Sequence, residues 1–178
     1  MPGHLRVYIA CSLDGFIAGE GDDLSWLPED DVAHPEEDMG YERFIGEVGA
    51  LLMGRRTYDV VRGFDVEWPY GDRPVIVATR RPLDADPPPS VEASQGSIEE
   101  LAERALARAG GRDVWVDGGD LIRQALDAGL IEELVVTLIP VVLGRGYPLF
   151  AGVEQRQRFE VVDTESFAGP VQITLRPV

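Results

Sequence analysis

A chain of 178 residues with 44% hydrophobic and 27% charged content has the makeup of one globular domain, and its net charge of −16 excludes nucleic-acid backbones and anionic bilayers as principal partners. All 16 basic residues are Arg, which leaves no lysine for a Schiff base or a P-loop, and one Cys with two His leaves neither a disulfide nor a metal-ligand set. The longest apolar stretch, Leu134 to Gly144, is far short of the roughly 20 residues of a membrane helix, and the N-terminal segment lacks a signal-peptide pattern, so a cytoplasmic location is expected.

Along the chain, short apolar runs predict strands at 5–11, 50–54, 74–79, 113–118 and 134–139. Their hydrophobicity is continuous, as in strands covered on both faces. Between Glu20 and Glu42 lie ten acidic residues and no Arg, which reads as a solvated loop leading into a first helix that carries Tyr41 and Phe44. A second helix opens at Arg55. A third is predicted over 97–109, where Ser97 and Glu100 fit a capping box, Ile98, Leu101, Ala102, Ala105 and Leu106 make one stripe, and Gly110-Gly111 marks the stop. A fourth runs from Asp120 to Ala128. Two closing strands, at 158–166 and 171–178, are joined by Ala168-Gly169-Pro170 as an antiparallel hairpin at the sheet edge. Strands alternating with helices predict an α/β class with a mostly parallel central sheet, flanked by helices and closed by that hairpin. The Pro-rich stretch 84–90 is a loop within this one domain, residues 1–178.

In such a sheet, ligands bind outside the carboxyl ends of the strands. Three strands end there in chemically useful residues: Gly54, Arg55, Arg56 and Thr57; Thr79, Arg80 and Arg81; and Gly118, Gly119 and Asp120. Helix-opening amides with guanidinium charge suit a phosphate. Glycines let backbone approach a pyrophosphate, and Arg80 with Arg81 suits the 2′-phosphate that distinguishes NADP from NAD. Each signal alone has a plainer reading, as surface charge or as a turn. Their joint placement in so acidic a chain favours a phosphate-bearing cofactor, and without GxGxxG the ordinary Rossmann version has no support.

The segments Ser12 to Ala18, Met53 to Tyr58, Val75 to Arg80, Val116 to Ile122 and Ile131 to Phe150 resemble the riboflavin-biosynthesis reductase domain and its dihydrofolate-reductase-like relatives. The resemblance implies NADPH held by the Gly54 to Thr57 segment, by Thr79 to Arg81, and by Gly118 to Ile122 including Leu121. It also implies a nicotinamide pocket at Ala10 and Ile17, and a cis peptide between Gly118 and Gly119. Residues 25–30 are similar to the Trp, Leu-Pro and Asp stretch that carries the substrate carboxylate in those relatives, which makes Asp30 the candidate proton donor and Trp26 a substrate contact. Asp14 is the second candidate, with a turn role as its alternative; Tyr41 and Phe44 line the same cleft or belong to the core. Cys11 reads as a small buried hydrophobe, and Gly144 to Gly146 as a substrate rim or a bend.

The function so implied is NADPH-dependent reduction of a small heterocyclic C=N or C=O substrate by a stand-alone member of that family. The deaminase zinc signature of the bifunctional riboflavin enzyme is absent. The alternative is a catalytically silent nucleotide-binding module of the same fold. The resemblance further implies a homodimer through the C-terminal strands or the sheet edge.

Overall fold

A computed structural model describes residues 3–28 and 38–178. In chain order these form β1 (Leu5–Ser12), β2 (Phe16–Ala18), a 3-10 turn (Glu20–Asp22), α1 (Tyr41–Glu47), β3 (Val48–Gly54), α2 (Arg55–Arg62), β4 (Val75–Ala78) and β5 (Val91–Ser94). There follow α3 (Ile98–Arg108), β6 (Asp113–Asp117), α4 (Gly119–Asp127), β7 (Ile131–Ile139), β8 (Tyr147–Pro148), β9 (Phe159–Ser166) and β10 (Val171–Pro177). Among the described residues no helix is long and apolar enough to cross a membrane.

Eight strands make one sheet in the order β5-β4-β3-β6-β1-β7-β10-β9. The first six pair in parallel, whereas β10 runs antiparallel to β7 and β9 antiparallel to β10. The expected parallel sheet with a closing hairpin is therefore present. The pairs β2–β8 and β4–β5 extend the expected set; β2, β5 and β8 are only two to four residues long, too short to carry a hydrophobic period.

Continuous apolar runs arise because alternate residues enter two different cores. Ala50, Leu52, Ile76, Val114, Val116 and Val136 face α3 and α4, where they meet Leu101, Ala105, Leu121 and Ile122. Leu51, Met53, Val75, Val77 and Trp115 face the other way, against Phe44 and Ile45 of α1 and Tyr58 and Val61 of α2. Helix α3 opens with the expected capping box, Ser97 Oγ accepting from the Glu100 amide and the Glu100 carboxylate from the Ser97 amide. Cys11 is buried in the α3/α4 core, and its thiol is pushed up to about 11 by burial.

The helix after β3 and the helix after β6 lie on opposite faces, although these strands are neighbours. Their connections must therefore diverge, and a crevice opens at the carboxyl ends of β3 and β6.

Candidate active site

Glycines from both connections floor this crevice. Gly54 ends β3 and caps α2, and a Cβ built on it would meet nothing within 4 Å, so its backbone faces open space. Gly118 ends the connection after β6 at φ +93, and its Cβ position is occupied by the Thr57 hydroxyl, with the Gly54 amide nitrogen 3.8 Å away. Gly119 is buried beneath Ile17, whose Cδ1 stands 3.1 Å from the corresponding Cβ position, and beneath the Pro148 carbonyl at 2.8 Å. Gly54, Thr57, Gly118, Gly119 and Ile17 thus gather at one place from β2, α2 and α4. Half-buried Ala10 lies on β1, paired in register with Thr137. Gly118→Ala is expected to destabilise the fold by about 1–3 kcal/mol, read by urea denaturation, because an L side chain at this φ is strained and collides with Thr57.

The arginines divide into two kinds. Arg55 donates to Asp59 at 2.7 Å and to the Pro82 carbonyl at 2.5 Å. Arg56 holds Asp22 through Nε and Nη2, at 2.6 and 3.1 Å, and lies 3.8 Å above the Tyr147 ring. Arg80 and Arg81, by contrast, are exposed and carry no ion pair among the described residues. The loop that presents them is set by Thr79, whose hydroxyl accepts from the Arg81 amide at 3.0 Å. A cleft of about 590 Å³ beside α2 has Arg56 and Arg81 on its rim and Val60 and Phe64 in its wall.

Several expectations change. No peptide bond among the described residues is cis, so the Gly118–Gly119 bond is trans and the turn is made by the positive φ of Gly118. Leu121 and Ile122 are 4% and 0% exposed and belong to the α3/α4 core, so their side chains do not face the crevice. Asp120 is exposed, accepting from Gln124 Nε2 at 2.8 Å. Asp14 accepts from Ser12 Oγ at 2.6 Å and from the Leu143 and Gly144 amides at 3.1 and 2.7 Å. These donors hold its carboxyl down at about 2. A carboxylate so held stays ionised at neutral pH; it ties the β1–β2 turn to the 143–144 bend. Phe44 is buried, stacked on Tyr8 with centroids 4.8 Å apart, and is a core residue. Tyr41 is half-buried, edge-on to Trp115 at 6.2 Å. Half-buried Trp26 donates its indole N–H to the Asp23 carbonyl at 3.1 Å. Asp30 lies outside the described residues.

The acid best placed by the fold is one that the sequence reading passed over. Asp117 ends β6 in register with Met53, on the same face as Trp115 and so on the α1/α2 side of the sheet. Its carboxylate accepts from the Gly118 amide at 2.8 Å and makes no ion pair among the described residues. Burial raises its pKa to about 6, opposed only by that amide. The charge is felt by the phenols of Tyr41 and Tyr70, both already raised by their own burial. The buried Trp115 indole nitrogen has no acceptor among the described residues. The only sequence signal was its place: a carboxylate ending an apolar strand immediately before Gly-Gly. An acid with a raised pKa, on the aromatic side of the sheet and next to the Gly118–Gly119 turn, is equipped to hold and release a proton near neutral pH.

The family model of the RibD C-terminal domain matches residues 3–173. The uncharacterized protein YwjB of Bacillus subtilis (strain 168) is 33% identical over 168 residues, covering 94% of each chain. The "putative riboflavin biosynthesis protein" of Shewanella sp. PV-4 is 31% identical with a TM-score of 0.87 over 98% of this chain and 99% of that one. Dihydrofolate reductase from Enterococcus faecalis, complexed with NADP(H), shares the fold at 19% identity with a TM-score of 0.64, over 99% of this chain and 98% of that one.

Proposed function

The chain belongs to the RibD C-terminal domain family and has a reductase-type fold, and from that premise we propose that it is an NADPH-dependent reductase of a small heterocyclic C=N or C=O compound. The observation that carries this reading is the convergence of Gly54, Thr57, Gly118, Gly119 and Ile17 at the carboxyl ends of β3 and β6; Asp117 ends β6 there, and Arg80 and Arg81, which carry no ion pair among the described residues, follow the neighbouring strand, where Ala78 pairs with Gly54. The residues fit the cofactor. Open backbone at Gly54, with the Thr57 hydroxyl packed on the Gly118 turn beside it, suits a pyrophosphate, and Arg80 with Arg81 suits the 2′-phosphate. The Val60 and Phe64 wall beside Arg56 and Arg81 suits an adenosine, and Ala10 and Ile17 make an apolar seat for the nicotinamide. When bound, NADPH supplies the hydride.

The chain's own residues do the rest. Asp117 holds the proton that the reduced nitrogen or oxygen needs, and its raised pKa keeps a useful protonated fraction near pH 6 to 7. Tyr41, on the α1/α2 side of the sheet that Asp117 faces, lines the substrate side, and Trp26 is a second substrate contact by family resemblance. Oxidation of NADPH, followed by its absorbance across a panel of cyclic imines, pyrimidines and ketones, tests the proposal. Turnover with at least one class is expected. NADPH binding with no turnover across the panel would favour the silent nucleotide-binding module.

For assembly we propose a homodimer formed through the C-terminal strands β9 and β10, where Val161, Val162 and Val171 are exposed. Sedimentation equilibrium is expected to return twice the monomer mass of 19.5 kDa, with Val162→Arg shifting the protein to monomer.

A further inference from the structure

We infer that Asp22 is an internal competitor for the phosphate-binding edge of Arg56, so that the 3-10 turn must release this arginine before an anion can take it. The inference rests on the dinucleotide reading of the crevice. Asp22 engages Nε and Nη2, the edge of a guanidinium that also receives a phosphate in fork geometry. The remaining contacts of the same guanidinium are with Tyr147, whose ring lies beneath it and whose hydroxyl accepts from Nη2. Tyr147 pairs with Ala18 across β2–β8, and Gly146 packs its backbone on the Ala18 carbonyl. One side chain therefore pins together the start of α2, the turn at Glu20–Asp22 and β8, beside the crevice that Gly54 and Gly118 floor. Asp22 and Arg56 both border the cleft shared with Arg81.

The pair is built to yield. Arg56 is 55% and Asp22 34% exposed, so water screens their attraction. A phosphate carries more charge than a carboxylate and, in this cleft, also meets Arg81. Asp22 itself sits at φ +64 beside Gly21 at φ +72, a conformation that costs less to leave than a regular turn. Binding is thus coupled to a change of partner at Arg56, and Asp22 sets the affinity without touching the ligand.

The test is isothermal titration of the full chain with NADPH and, separately, with inorganic pyrophosphate. Asp22→Asn is expected to tighten both by about two- to fivefold, the range an exposed ion pair supports. Glu20→Gln removes the same charge from the same turn but touches no arginine among the described residues, and should change either Kd by less than about 1.5-fold. In an Arg56→Ala background, the Asp22→Asn gain should shrink to the Glu20→Gln level. The inference is overturned if Asp22→Asn matches Glu20→Gln, binds more weakly than wild type, or keeps its gain without Arg56. A gain with pyrophosphate alongside no NADPH binding by any variant would leave Asp22 as a competitor and remove the dinucleotide reading. NADPH binding that is equal in wild type and Asp22→Asn would do the reverse.

Discussion

Asp117→Asn is expected to lower kcat by about 10²- to 10⁴-fold, the usual contribution of a positioned proton donor, while the Kd for NADPH stays within about twofold. The acid must be protonated to act. In wild type, kcat/KM should therefore be flat below pH 6 and fall about tenfold per pH unit above it, as the carboxyl loses its proton near its raised pKa of about 6. The residual activity of the Asn variant should lose that limb of the profile. Stability moves the other way. A folded-state pKa of about 6 against 3.8 in the unfolded chain means that the folded protein holds this proton more tightly. The carboxyl then favours the fold below about pH 4, and that contribution is lost as pH rises through 6. The buried charge costs up to about 3 kcal/mol at pH 8. The Asn variant should thus unfold at a higher temperature than wild type at pH 8, with the gap closing at pH 4. A variant that is less active but more stable at high pH is the pattern expected of a residue kept for chemistry. Unchanged kcat, or a kcat loss with no change in the pH profile, would remove Asp117 from the reaction.

Replacing Arg80 and Arg81 together by Ala should weaken NADPH by about 30- to 100-fold and NADH by less than about threefold. Each guanidinium offers a charge-assisted hydrogen bond worth roughly 1.5–3 kcal/mol when well placed, and exposure reduces this to about 1.0–1.4 kcal/mol each. Because neither arginine is engaged by a carboxylate among the described residues, neither must break a bond first, in contrast to Arg55 and Arg56. The NADPH preference should also fade as salt is raised from 50 to 500 mM. Equal losses for both cofactors would mean that these arginines do not read the 2′-phosphate.

Most of the architecture was legible because burial on both faces leaves an unmistakable mark. Runs such as Val75 to Val77 and Leu134 to Val136 have no polar alternation, and that absence is the signature of a sheet between two helix layers. The glycine and arginine turns were legible for a related reason: topology fixes which end of a parallel strand carries ligands. What the sequence did not disclose was mostly long-range. Nothing local marks Asp22 as the partner of Arg56, 34 positions later, and a run of acids reads naturally as a solvated loop. Motif likeness puts Leu121 and Ile122 beside the cofactor, and the helical period turns the side chains of both into the core. One acid closing an apolar strand has the same appearance whether it ends in water or beside aromatics; only the fold, which sets Asp117 on the face of Trp115 and within electrostatic reach of Tyr41 and Tyr70, tells the two apart.

The alternation that fills two cores from one sheet also decides which way Asp117 looks. Val114 and Val116 belong to the aliphatic layer under α4, while Trp115 belongs to the aromatic side. Inserting or deleting a single residue within β6 would exchange these roles, driving an ionisable group among leucines and presenting a valine to the aromatic side. This short strand should accordingly tolerate conservative replacements at most positions but no change in its length, and a deletion scan across 113–117 would show that intolerance directly.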